Sequence, residues 1–211
     1  MTLKKLSSVA IGKSAEASTK TGMPSTNGSS RSIVPSSQMR QAALTKLVQL
    51  KPDETVNQLV SGMMSLGVLV EPRMLTRFPD NSVRITITHY DVHTARDITD
   101  ERIDQAIERA MCSLTPMPED DMYKNLQATV MLMAKPAGES ANDLKMRLQL
   151  LVANMSDWPA DIFLASLKAV AETNKFFPAF AEFHRHYSIH IRKRRLILEA
   201  LHKYRNEHFI S

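Results

Sequence analysis

The sequence predicts a mainly α-helical bundle with a minor β-hairpin and a disordered N-terminal arm. Apolar residues recur at helical spacing through most of residues 37–211, whereas a single stretch alternates apolar with polar. Residues 1–36 are rich in Ser, Thr, Lys and Gly, hold no aromatic, and carry only scattered aliphatics. Such a stretch cannot bury enough apolar surface to offset its ordering entropy. The remaining chain, 43% hydrophobic overall, is long enough for one domain with its own core. Thirteen Met against one Trp add adaptable gap-fillers suited to helix contacts.

The arm, residues 1–36, is basic and poor in acids. That composition resembles an organellar transit peptide, but Gly12 and Gly22 interrupt any amphipathic helix. From Ser37, a helical face of Met39, Ala43, Leu44, Leu47 and Val48 runs until Lys51-Pro52. A second helix from Asp53 presents Val56, Leu59, Val60 and Met63, and Gly67 is placed to close it. These two predict a helical hairpin. Val83–Tyr90 is the alternating, β-branched stretch, and Leu66–Val70 is its expected partner across a connection at Pro72–Ser82. Residues 37–96 thus read as a helical hairpin plus β-ribbon. No basic recognition helix precedes the ribbon, which argues against a winged helix.

Residues 97–211 read as a helical bundle ending in a long basic helix. Thr99 with Asp100 and Glu101 opens one helix and Glu119-Asp120-Asp121 the next, since acids favour the positive end of a helix dipole. Lys135-Pro136-Ala137-Gly138 ends that one. Ser140 and Asp143 form a capping-box pattern ahead of Leu144, Leu148, Leu151 and Met155. Asp157 or Ser156 is placed to cap the following helix, with Pro159 in its first turn and Trp158 as a staple onto Ile162 or Phe163.

The elbow Lys175-Phe176-Phe177-Pro178 follows. Two consecutive aromatics in an extended pair point in opposite directions, so one plugs the core while the other faces a neighbour or solvent. Pro178 then starts a helix with Phe180, Phe183, Tyr187 and Ile191 on one stripe. The run Arg192, Lys193, Arg194 and Arg195 goes right round this helix at about 100° per residue, so at least one cation falls near the apolar seam and snorkels. His186 and His190 have the i, i+4 spacing of zinc ligands, but no third ligand or HExxH motif accompanies them, so they read as surface imidazoles.

Charge narrows the function. Residues 1–40 and 184–205 each carry a large excess of Lys and Arg within a net charge of +5, so the segment between them is acidic. Basic ends suit a polyanionic or acidic partner. Cys112, the single cysteine, excludes a disulfide framework and fits a reducing compartment. No apolar run approaches the roughly 20 residues of a membrane span. No phosphate-binding Gly-rich loop, nucleophile triad, paired carboxylates or metal set stands out, so neither enzyme activity nor a cofactor is expected.

From about Asp143 to Leu201, the chain resembles small phage and prophage replication-module proteins, among them the replicative helicase loader and inhibitor proteins of phages. The resemblance rests on Trp158-Pro159-Ala160-Asp161, Lys175-Phe176-Phe177-Pro178, Ala181-Glu182 and the Arg-rich helix with its later leucines. It implies a non-enzymatic DNA-replication adaptor that binds a replicative helicase or initiator in the cytoplasm of a bacterial host. Phe176, Phe177, Glu182 and Arg192, Lys193, Arg194 and Arg195 are then the expected contact residues. Two alternatives remain: a DNA-binding regulator that uses Arg192–Arg195 on phosphates, and a structural assembly protein of a phage.

Overall fold

The computed structural model describes residues 33–77, 84–134 and 138–209. The predicted arm therefore lies outside the described residues up to position 32, as do the ribbon's connection at 78–83 and the break at 135–137. The order is α1 (Ser37–Leu47), α2 (Pro52–Met64), β1 (Val68–Arg77), β2 (Arg84–Thr94), α3 (Asp100–Cys112), α4 (Glu119–Leu132), α5 (Ala141–Met155), α6 (Ala160–Thr173) and α7 (Phe180–Phe209). The mainly helical class with a small antiparallel hairpin is as the sequence predicts.

The helix ends follow local chemistry. Ser36 caps α1 by accepting from the Met39 N–H at 3.2 Å. Pro52 opens α2, where a missing N–H costs nothing, and the Glu54 carboxylate accepts from the Lys51 N–H at 3.0 Å. Gly67, at φ 81°, turns the chain from α2 into β1 in a region that side chains disfavour. Ser140 and Asp143 close the predicted capping box on α5.

Several boundaries move. Residues 33–36 belong to the body rather than to an arm, because Pro35 is buried and Ile33 packs against the core. β1 runs through Pro72 to Arg77, further than predicted, since a two-stranded ribbon has only edge strands and an edge tolerates a residue without an N–H. Pro159 is the N-cap of α6, and α7 starts at Phe180 rather than at Pro178. The main neighbours of α1 are α3 and α6, while α2 packs on β1, α3, α6 and α7.

The ribbon contains a bulge. Arg73 faces His89 but Met74 faces Ile87, so Thr88 is the extra residue on β2, and its hydroxyl donates to the Arg73 carbonyl at 3.1 Å. The extra residue shifts the phase of the side chains. Ile87 on one side of it and Tyr90 and Val92 on the other consequently share the inward face.

The described residues form one compact unit with two apolar cores. The first gathers α4, α5, α6, the elbow and the first half of α7, centred on Trp158, Phe163 and Phe183. The second gathers α2, the ribbon, α3 and the second half of α7, centred on Met63, Ile103 and Ile107. Helix α7 is thus a shared spine, giving Phe183, Tyr187 and Ile191 to one core and Ile197 and Leu201 to the other. The parts before and after residue 96 meet where the ribbon packs on α7.

Candidate interaction surface

The elbow between α6 and α7 separates its two aromatics as extended geometry requires. Phe177 is buried against Phe183, with ring centroids 5.8 Å apart. Phe176 stays 49% exposed. Arg147 of α5 locks this conformation: its guanidinium sits 5.1 Å over the Phe177 ring and donates to the carbonyls of Phe177 at 2.9 Å and Pro178 at 2.8 Å. Those carbonyls precede α7 and have no helical partner of their own. Glu139 holds Arg147 from the other side at 3.4 Å.

The elbow is tied to the end of α4. The Ala134 N–H donates to the Lys175 carbonyl at 3.1 Å, and Ala134 bridges to Phe176. Met131 and Leu132, the last two residues of α4, are 86% and 83% exposed. Phe176, Leu132 and Met131 therefore lie around one bridge with their apolar surface in water. The Lys175 ammonium is 5.6 Å from the Phe176 ring centre and adds a cation to the rim.

The expected contact residues fall into different environments. Glu182 accepts from the Ala179 N–H at 2.8 Å and so caps its own helix. Arg192 is exposed. Lys193 pairs with Asp53 at 3.4 Å. Arg195 donates to the Tyr187 hydroxyl at 2.8 Å and lies 3.7 Å from Asp157. The Tyr187 ring in turn stacks on Trp158 at 4.2 Å, so Trp158 also packs across onto α7.

Arg194 is not a surface residue at all. It has no exposed area and reaches the equally buried Asp161 in a bidentate pair, with Nη1 donating to Oδ1 at 2.9 Å and Nη2 donating to Oδ2. Nη1 also donates to the Ser113 carbonyl at 2.6 Å and Nη2 to the Pro52 carbonyl at 3.2 Å. The Thr55 hydroxyl donates to Asp161 Oδ2 at 2.7 Å. The reason is position: Arg194 falls three residues after Ile191 and three before Ile197, on the buried stripe itself, so solvent is out of reach and a counter-charge replaces snorkelling. Phe177, likewise buried, presents no ring to a partner.

Burial holds the His190 imidazole below its usual range, opposed by the nearby Asp53 carboxylate and reinforced by Arg194 and Lys193. The described residues contain no group of three His, Cys, Asp or Glu placed to hold a metal ion. Nor is any of their helices long and apolar enough to cross a membrane.

Compared with known families, curated proteins and solved structures, the chain matches none. Sequence reading missed Met131 and Leu132, whose signal was their place between Val130 and Met133, the residues that carry the apolar stripe of α4. It also missed Arg147, for which periodicity gives no sign.

Proposed function

We propose that this chain is a non-enzymatic adaptor of DNA replication that docks a replicative helicase or initiator on the surface around Phe176. The observation that supports this most is the apolar exposure of Phe176, Leu132 and Met131 on a frame fixed by Arg147 and the Ala134 bridge. An aromatic anchor held in place loses little entropy on binding, which favours its use at a protein interface. The partner class comes from the resemblance of Asp143–Leu201 to phage helicase loader and inhibitor proteins, and the bacterial cytoplasm follows from it.

A DNA-binding regulator is the second reading, favoured by the exposure of Arg185 and Arg192, seven residues apart on one side of α7. It is the weaker one, because Lys193 and Arg195 are already paired and Arg194 is buried. Sedimentation of the purified chain mixed with purified helicase, or with initiator, tests the proposal. Co-sedimentation that is lost in a Met131→Ser, Leu132→Ser, Phe176→Ser variant supports it; failure to co-sediment with either partner refutes it.

A further inference from the structure

The two edges of the β-ribbon are unequal. A helix packs against each strand, α2 on β1 and α7 on β2, so the difference lies in the backbone: β1 carries Pro72 in mid-strand, which removes a donor and discourages pairing. β2 has neither Pro nor Gly, and it is regular from His89 to Thr94. Its outward N–H and C=O groups meet no backbone partner from another element among the described residues. In an antiparallel pair alternate residues direct these groups away from the neighbouring strand, so half of β2's main chain is left to pair elsewhere.

A cleft of about 570 Å³ runs along that edge. Its walls come from residues 88–93 of β2 and from the second half of α7, and β1 contributes nothing to them. The volume lies within the range of roughly 300–1,000 Å³ usual for binding clefts. Half-buried Leu196, Ala200 and Tyr204 line the α7 wall beneath the ribbon's inward face, where Tyr90 and Val92 also point, and exposed Glu199, Lys203, Glu207 and His208 complete that wall. On the outward face stand His89, Asp91 and His93.

β1 already shows what suits these three residues. The register sets Glu71 opposite Asp91 and Arg73 opposite His89, and each side chain reaches diagonally instead: Glu71 lies 3.7 Å from His93, and Arg73 pairs with Asp91, which also has His89 at 3.5 Å. A strand arriving on the free edge meets the same sequence of imidazole, carboxylate and imidazole from the opposite side. Opposite charges across a strand pair stabilise it and like charges do not. We propose that the outer edge of β2 accepts an extended peptide segment of a partner protein as a third strand. Its inward side chains are β-branched and apolar, and its outward ones run acidic, basic, acidic. Main-chain hydrogen bonds hold such a segment, and the alternating side chains select it. This inference does not depend on the elbow surface, which lies on the other core.

The test uses the full chain and a short capped synthetic peptide that alternates valine with glutamate, lysine and glutamate, titrated by fluorescence anisotropy. Binding is expected, with charge inversion of the three outward side chains weakening it. N-methylation of alternate peptide amides separates main-chain pairing from side-chain contact. In one frame it weakens binding at least about tenfold, because each lost bond removes about 0.5–1.5 kcal/mol, and in the other frame it has little effect. Ala200→Trp, which fills the cleft, is expected to abolish binding. No binding at millimolar peptide, or equal affinity for both methylated frames, overturns the proposal. So does a dimer of the chain alone that Ala200→Trp dissolves, since a second copy would then own the edge.

Discussion

Asp161 and Arg194 join two helix ends through one buried ion pair. Asp161 lies in the first turn of α6, where the positive end of the helix dipole favours its charge, and Arg194 donates to the carbonyl of Ser113, the C-cap of α3. Each charge thus has a dipole as well as a counter-ion. Arg194 sits on α7 between the residues given to the first core and those given to the second. Only Arg194 Nε among the pair's polar atoms lacks a hydrogen-bond partner.

Removing one member of this pair leaves the other charge buried and uncompensated. Asp161→Asn and Arg194→Met should each cost about 3–5 kcal/mol, read from urea unfolding. The double variant should cost much less than the sum, which a double-mutant cycle detects. Additive losses would mean that the two charges are held independently by the surrounding carbonyls and Thr55.

The elbow predicts an asymmetry between neighbours. Phe177→Ala should destabilise by about 3–5 kcal/mol, because it opens a cavity beside Phe183 and removes the ring under Arg147. Phe176→Ala, at an exposed site, should change stability by less than about 1 kcal/mol. Comparable large losses at both would place both rings in the core.

At the N-terminus, the composition of residues 1–32 predicts that a chain starting at Ile33 melts with the full-length protein. A chain starting at Ser37 should melt a few degrees lower. It lacks the Ser36 cap, itself worth about 1 kcal/mol, and the buried Pro35. Calorimetry of the two truncations decides this, and equal melting would return residues 33–36 to the arm.

His190 gives stability a pH dependence of known sign. Its folded pKa is depressed mainly by burial from the ordinary 6.5. The unfolded chain therefore binds the proton more readily, and stability falls as pH drops below about 6.5 towards the folded pKa. Above that window His190 contributes no slope. His190→Gln should flatten the loss below about pH 6.5, measured as the urea midpoint at several pH values. An unchanged slope would assign the acid sensitivity to other groups.

How much of this was legible in the sequence differs from element to element. Spacing located all the helices, because each carries a stripe and a cap or a breaker, as with Ser140 and Asp143. The ribbon was half legible: Val83–Tyr90 alternates, but the alternation slips phase between Ile87 and Tyr90, and that slip marks the bulge at Thr88. The pairing of Arg194 with Asp161 was not legible, although the arithmetic of the α7 stripe places Arg194 on the seam. Thirty-three residues separate the two, and no local pattern reports which buried acid answers which buried base. A run of four cations also looks like a binding surface unless each member is assigned to a face. The elbow aromatics were separated correctly because extended geometry alone dictates opposite directions.

The burial of Arg194 shapes the measurement that tests the central claim, since neutralising all four cations would break the fold along with any interface. The direct measurement is titration of the purified replicative helicase, and separately of duplex DNA, with three proteins at two salt concentrations. These are the native chain, the Met131→Ser, Leu132→Ser, Phe176→Ser variant, and an Arg192→Gln, Lys193→Gln, Arg195→Gln variant. The adaptor account predicts that the serine variant loses at least about tenfold in helicase affinity, as expected for an interface anchor, with unchanged melting. The Gln variant should keep helicase binding and lose only salt-sensitive DNA affinity. Helicase binding that survives in the serine variant, or a native chain that binds DNA tightly and helicase not at all, would contradict it.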